Sequence, residues 1–159
     1  MPPDTLVTSH IHIDGPIPGP HSLLTLTSAA HALDGGPTIA TFTTNVSELP
    51  GATLHPVALQ TWRRRAEDWL TTRRGSRPPA LAMNTYARWI DRLPGRPVFV
   101  TDTAEPDYLF LYWYLQRFTG HWPFARTLTD AGMHARITCA TLCPLAGCRT
   151  PQAPLARTS

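Results

Sequence analysis

The chain has 159 residues and a formal net charge of +3, carried by arginine without any lysine, and this length fits one domain with a proper hydrophobic core. The mild positive charge permits an anionic partner such as nucleic acid but does not require one. With no apolar stretch of roughly 18 residues, no signal-peptide pattern and an odd number of cysteines, the sequence predicts a cytoplasmic protein without a membrane partner.

Alternating apolar and β-branched residues predict three strands in the first third of the chain. The strands cover residues 5–13, 22–32 and 38–46, and turns rich in Gly and Pro separate them. Because the turns are short, we expect the three strands to form an antiparallel meander.

Helical spacing replaces strand alternation after residue 55. Apolar residues three or four apart predict helices over 56–73 and 80–93. The short apolar run 96–101 predicts a strand buried on both faces. The next helix, 106–118, is apolar on nearly all sides, so we expect it to lie in the core.

These elements predict an α/β domain over residues 5–142. A three-stranded meander followed by a strand and helices matches the mixed sheet of a ribonuclease-H-like fold. Residues 127–142 fit either a strand or a helix. The segment 143–159 is rich in Pro and Ala without periodicity, and we expect it to be disordered.

Polar side chains at alternate positions mark the end of the first strand. His10, His12 and Asp14 are two residues apart, so strand alternation is expected to place them on one face. In a ribonuclease-H-like sheet these side chains would face Asp107, at the start of the helix after the fourth strand. Two histidines and a carboxylate can hold one Zn²⁺, Mn²⁺ or Fe²⁺. The alternative is a cleft in which the histidines bond to neighbours and water, without a metal.

Four further runs carry a collinear pattern over residues 6 to about 130. They are the turn Gly-Pro-Ile-Pro-Gly within 14–20 and the segments 49–53, 93–100 and 107–120. In order and spacing this pattern resembles the DnaQ-like (DEDD) 3′-to-5′ exonucleases. The similarity is closest to a bacterial exonuclease-domain subfamily with this Gly/Pro turn after its first strand.

The resemblance implies a nucleic-acid hydrolase that holds two Mg²⁺ or Mn²⁺ ions with four carboxylates. Asp107 matches the third carboxylate, a catalytic residue, and Asp130 fits a later acidic position. His10 and His12 stand where the family has its Asp-x-Glu pair. No residue matches the last Asp and its His, so the resemblance implies a C-terminally truncated domain.

Two imidazoles in place of two carboxylates change the expected chemistry. Mg²⁺ prefers hard oxygen ligands, and a two-metal site must offset about four positive charges. Replacing the two carboxylates by imidazoles puts nitrogen donors in the site and removes about two negative charges from it. We therefore expect an exonuclease-like domain that is catalytically impaired but binds single-stranded nucleic acid, with or without a metal. The alternatives are a metal-dependent exonuclease with an altered His/Asp site and a non-catalytic interaction module.

Four arginines are the candidate contacts to a phosphate backbone. They are Arg63, Arg64, Arg65 and Arg73. Trp62 or Trp69 could stack a base beside them. The alternative is a solvated helix face with tryptophans in the core. Near the C-terminus, His134 precedes three cysteines, Cys139, Cys143 and Cys148, without a standard zinc spacing.

Overall fold

A computed structural model describes residues 3–33 and 37–137 as an α/β fold with one five-stranded mixed sheet. The strands are β1 (Asp4–Ile13), β2 (Leu23–Ala32), β3 (Thr38–Asn45), β4 (Arg96–Thr101) and β5 (Arg126–Thr129). The helices are α1 (Pro56–Arg64), α2 (Ala66–Arg73), α3 (Pro79–Asp91), α4 (Asp107–Thr119) and α5 (Ala131–Ile137). The three cysteines and the predicted disorder of 143–159 lie outside the described residues.

The strand order in the sheet is β3-β2-β1-β4-β5. Pairing of β1 with β2 and of β2 with β3 is antiparallel, which confirms the predicted meander. β4 is parallel to both β1 and β5 and lies between them. Val98, Phe99 and Val100 are consequently fully buried, as the apolar run predicted.

The predicted helix 56–73 is divided into two. Arg65 has φ −127° and ψ 49°, outside the helical region, and its N–H donates to Trp62 O. Helical spacing of apolar residues continues across this position, so the pattern alone does not reveal the break. The interruption allows Trp62 and Trp69 to meet edge to face, with ring centroids 5.4 Å apart.

Of the ambiguous segment 127–142, the described part, 127–137, begins as a strand and continues as a helix. β5 ends at Thr129, and the Oδ1 atom of Asp130 accepts the N–H of Met133 at 2.9 Å. This is the hydrogen bond of an N-cap residue, and α5 follows it directly. Asp130 therefore caps a helix in this fold.

The main hydrophobic core lies between α3, α4 and one face of the sheet. Tyr86 of α3 and Tyr114 of α4 are fully buried in it. The opposite face has a smaller apolar cluster in which Leu6, Val98 and Val100 contact Met133 of α5. No helix in the described residues is long and apolar enough to cross a membrane.

Helix α4 is less buried than its composition suggested. Its inner side is enclosed, but Tyr108, Leu109 and Tyr112 are 39%, 52% and 42% exposed. The two tyrosine rings stack on each other at 5.6 Å, and both contact Trp122. A helix packed on a sheet always has an outer side, so apolar composition all round did not make α4 a fully buried helix.

Candidate functional site

The start of α4 meets α5 at a buried carboxylate–histidine pair. Asp107 is 2% exposed, and its Oδ1 accepts the Thr101 hydroxyl at 2.6 Å and the Tyr108 N–H at 2.8 Å. Its Oδ2 lies 3.6 Å from Nε2 of His134, which is 6% exposed. Among the described residues neither of these two atoms has a hydrogen-bond partner. These two buried atoms face each other and form an ion pair when His134 is protonated.

His10 and His12 lie together at the end of β1. Their rings are edge to face with centroids 5.2 Å apart, and both side chains are half-buried. Nδ1 of His12 is 2.9 Å from the hydroxyl of Thr25 on the paired strand β2. The His12 ring also meets Trp62 edge to face at 5.7 Å. The histidine pair is therefore held between β2 and α1.

Burial keeps the histidines of β1 largely neutral. Burial lowers the pKa of His10 and, with His10 and Arg65 nearby, lowers the pKa of His12 to about 4. The carboxylates of Glu105 and Asp107 partly oppose this effect at His10. Near neutral pH the two side chains therefore present uncharged imidazoles rather than negative ligands.

His134 has the opposite protonation tendency. Burial works against its charged form, but the Asp107 carboxylate, helped by Glu105 and Asp102, raises its pKa above the usual value. His134 also lowers the pKa of His10, so the two side chains interact electrostatically. Asp107 and His134, which face each other, therefore act in opposite directions on the pKa of His10.

Asp14 does not continue the alternation of His10 and His12. The β1–β2 register shifts between His12 and Ile13, and β1 ends there. Asp14 is 2% exposed, and its Oδ1 accepts the N–H of Ser22 at 2.5 Å. Burial raises its pKa. Its carboxylate and its own N–H both bond to Ser22, so Asp14 braces the turn between β1 and β2.

The candidate arginines separate into exposed and structural side chains. Arg63, Arg64 and Arg65 are exposed at the end of α1, and Arg65 pairs with Asp68 at 2.7 Å. Arg73, by contrast, is half-buried. Its guanidinium donates to the backbone oxygen of Leu24 at 3.2 Å, and it lies 3.6 Å from Glu48. These contacts hold the Arg73 guanidinium against β2, and its contact to phosphate stays a prediction.

The tryptophans beside the arginines belong to the packing of this region. Trp62 is 7% exposed and its Nε1 donates to Ile13 O at 3.3 Å. Trp69 is half-buried, with the Arg73 guanidinium 5.4 Å from its ring centroid. Both rings are therefore already covered on at least one side. This favours the interpretation of core tryptophans over a base-stacking platform.

The residues present do not fit a two-Mg²⁺ centre. The family resemblance implies carboxylates at the end of β1, whereas His10 and His12 supply neutral nitrogen donors. Asp107 has one oxygen engaged with Thr101 and the other directed at His134. Within residues 3–33 and 37–137, no group of three or more His, Cys, Asp or Glu side chains is placed to hold a metal ion. No catalytic step through metal ions follows from this arrangement.

The sequence pattern does not predict that His134 meets Asp107. In the sequence His134 stands out only as a neighbour of the C-terminal cysteines. The signal that could have shown this contact is Asp130. As an N-cap residue it predicts a helix over the residues that follow, and His134 lies in that helix.

Neither a family model nor a curated protein matches the chain.

Proposed function

We propose that the chain is a ribonuclease-H-like domain related to the DEDD exonucleases, that it has lost their two-metal hydrolysis, and that it binds single-stranded nucleic acid in the cytoplasm. Two features support the relationship. The collinear segments run through residues 6 to about 130 of the sequence. The mixed sheet, with its meander followed by two parallel strands, is compatible with that fold.

The observation that carries the loss of activity is the neutral His10–His12 pair. An in-line attack on a phosphodiester needs cations that bind both the attacking and the leaving oxygen, and those cations need negative ligands. Burial makes the two imidazoles uncharged near neutral pH and unable to offset that charge. Asp107 by itself cannot replace the missing carboxylates.

Exposed arginines beside the histidines support nucleic-acid binding. Arg65 is close enough to influence the pKa of both His10 and His12, so the end of α1 borders the end of β1. Arg63 and Arg64 are exposed at the same helix end. Arginine contacts to phosphate supply most of the affinity for a single strand, independently of base sequence.

A nuclease assay tests the loss of activity. We expect 5′-labelled single-stranded RNA and DNA to remain at full length with the purified protein in Mg²⁺ or Mn²⁺. Shortening of either oligonucleotide, abolished by Asp107→Ala, would show that the two-metal interpretation is wrong. Stoichiometric zinc in the purified protein, lost in His10→Ala/His12→Ala, would instead favour the exonuclease with an altered His/Asp metal site.

Salt-dependent binding tests the second half of the proposal. Fluorescence anisotropy of a labelled single strand should give an affinity that falls with salt. Arg63→Ala/Arg64→Ala should lower the affinity and reduce the log–log salt slope by about 0.7 for each phosphate that an arginine no longer neutralises. Arg88→Ala/Arg92→Ala removes the same charge at the end of α3 and is the matched control. Equal effects of the two pairs, or no binding, would favour the interaction module.

A further inference from the structure

A groove opens between the outer side of α4 and the edge strand β5. It is lined by the loop between β4 and α4 and by side chains of α4 and β5: Tyr108, Leu109, Thr127 and Thr129. Thr127 is the strand partner of Phe99, which contacts Tyr108, so the groove lies on the α4 face of the sheet. This α4 groove has a volume of about 640 Å³, which is in the range of ligand sites in proteins.

Aromatic rings on the outer side of α4 extend the groove. The Tyr108 and Tyr112 rings stack at 5.6 Å, and the centroid of each lies 5.5 Å from that of Trp122. Trp122 packs against Phe124 at 4.7 Å, which anchors the three rings to the core. Even so, the two tyrosines are 39% and 42% exposed. Flat apolar rings exposed together are typical of surfaces that bind another segment of chain.

The charge of the groove is opposite to the net charge of +3 of the whole chain. The loop at its end contributes the carboxylates of Asp102 and Glu105, and among the described residues that line it there is no basic side chain. In the part of the chain that the structure describes, no arginine forms an ion pair with either carboxylate. The groove therefore suits a ligand that combines a cation with apolar surface.

Residues 151–157 of this chain combine those two properties. They have the sequence Pro-Gln-Ala-Pro-Leu-Ala-Arg and lie outside the described residues. Pro151, Pro154 and Arg157 are three residues apart, and a polyproline II helix has three residues per turn. In that conformation the two proline rings and the arginine side chain lie along one side, about 9 Å apart. Proline-rich segments of this kind bind in aromatic-lined grooves.

We propose that residues 151–157 bind in the α4 groove of their own chain as a polyproline II helix. The proline rings contact the stacked tyrosines of α4, and the Arg157 guanidinium pairs with Asp102 and Glu105. Because the loop with the two carboxylates precedes α4, the segment runs antiparallel to that helix. This contact is independent of the proposed nucleic-acid function.

The connection from α5 is long enough for this contact. β5 leads directly into α5, a helix of 7 residues and about 10 Å. The end of α5 is therefore close to the groove, although α5 packs on the opposite face of the sheet. Residues 138–150 span up to about 45 Å when extended, which is more than the path around the edge strand β5 requires.

The connection and the charge favour this segment over other ligands. A connected segment has an effective concentration of roughly millimolar, which a free peptide of the same sequence does not reach at ordinary concentrations. A nucleic-acid strand would bring phosphates to Asp102 and Glu105, and like charges oppose that contact. After Asp130 the sequence has arginines but no acidic residue, so no carboxylate of the C-terminal segment opposes the contact.

Competition with a labelled peptide tests the proposal on the complete 159-residue chain. The probe is a fluorescein-labelled synthetic peptide of residues 149–159, and fluorescence anisotropy measures its Kd. In the wild-type chain the connected segment competes for the groove, so the peptide should bind weakly. Pro151→Ala/Pro154→Ala/Arg157→Ala in the chain frees the groove and should lower the Kd about tenfold or more. Arg149→Ala removes an arginine outside the motif and is the matched control, which should leave the Kd unchanged.

A charge reversal tests the contact with the loop. In the triple variant, Glu105→Arg should raise the Kd of the peptide about tenfold, and a peptide with Arg157→Glu should restore the binding. Glu67→Arg makes the same charge change on α2, outside the groove, and should leave the Kd unchanged. Glu105 is exposed, and circular dichroism checks that each variant keeps its fold.

Equal Kd values for the wild-type chain and the triple variant, or no binding to either, would overturn the proposal. A Kd that Glu105→Arg does not change would do the same. A dimer of the wild-type chain that dissociates in the triple variant would place the segment in a second copy and overturn the contact within one chain. Loss of DNA binding in Tyr108→Ala, with the peptide Kd unaffected, would assign the groove to nucleic acid and also overturn it.

Discussion

Two aspartates of equal burial have different tasks in this molecule. Asp14 and Asp107 are each 2% exposed, and the sequence pattern places both in one candidate site. Asp14 accepts the Ser22 N–H within a turn that its own backbone helps to close, whereas Asp107 leaves Oδ2 directed at His134 without a hydrogen bond. Both carboxylates accept a backbone N–H through Oδ1, and the difference is that Oδ2 of Asp107 faces a buried histidine.

Among substitutions of the two aspartates, we expect the largest loss of stability from a change at Asp14. Asp14→Ala leaves the buried Ser22 N–H without its acceptor and should lower the free energy of unfolding by about 1–3 kcal/mol. Asp14→Asn keeps an acceptor oxygen and avoids the burial of a charge, so it should cost much less. Urea unfolding of both variants measures the difference. Equal losses in the two would show that the charge of Asp14, rather than its hydrogen bond, maintains the turn.

A smaller stability effect, with a clear electrostatic signature, is expected at Asp107. Asp107→Asn keeps the shape of the side chain but removes the charge that raises the pKa of His134. The lowering of the His134 pKa by burial is then opposed less strongly, so this pKa should fall. The free energy of unfolding should decrease by about 1 kcal/mol. Imidazole chemical shifts followed by NMR through a pH titration give the pKa. Asp14→Asn is the matched control and should leave the pKa of His134 unchanged.

Protonation of His134 and of His12 is expected to make unfolding depend on pH. Because the folded pKa of His134 is raised, its contribution is fully present below the unfolded pKa and is lost as pH rises through the folded value. His12 acts in the opposite sense. Its folded pKa of about 4 lies below the usual 6.5, so the unfolded chain binds a proton first and stability falls as pH drops through that window.

Single substitutions separate these two opposing contributions. His12→Gln should flatten the acid side of the stability–pH profile, and His134→Gln should flatten its alkaline side. Denaturant unfolding at a series of pH values gives both profiles. Similar changes on both sides in either variant would mean that the histidines act through one shared protonation rather than separately.

The first four strands, helices α3 and α4 and the meander could be predicted because their signals are local. Alternation over 5–13 and 38–46, and apolar spacing over 80–93, depend on neighbours in the sequence. The break at Arg65 could not be predicted, since periodicity continues across it. The exposed side of α4 also depends on what packs against the helix, which composition does not specify.

For the candidate site, the sequence by itself determined which residue types are present: two histidines at alternate positions of β1 and an aspartate at the start of α4. Only the tertiary structure decided which of them meet. A register shift follows His12 and Asp14 lies in the turn beyond it, a backbone contact holds Arg73 against β2, and α5 places His134 beside Asp107. These contacts join residues far apart in the chain, and a periodic pattern carries no information about such distances.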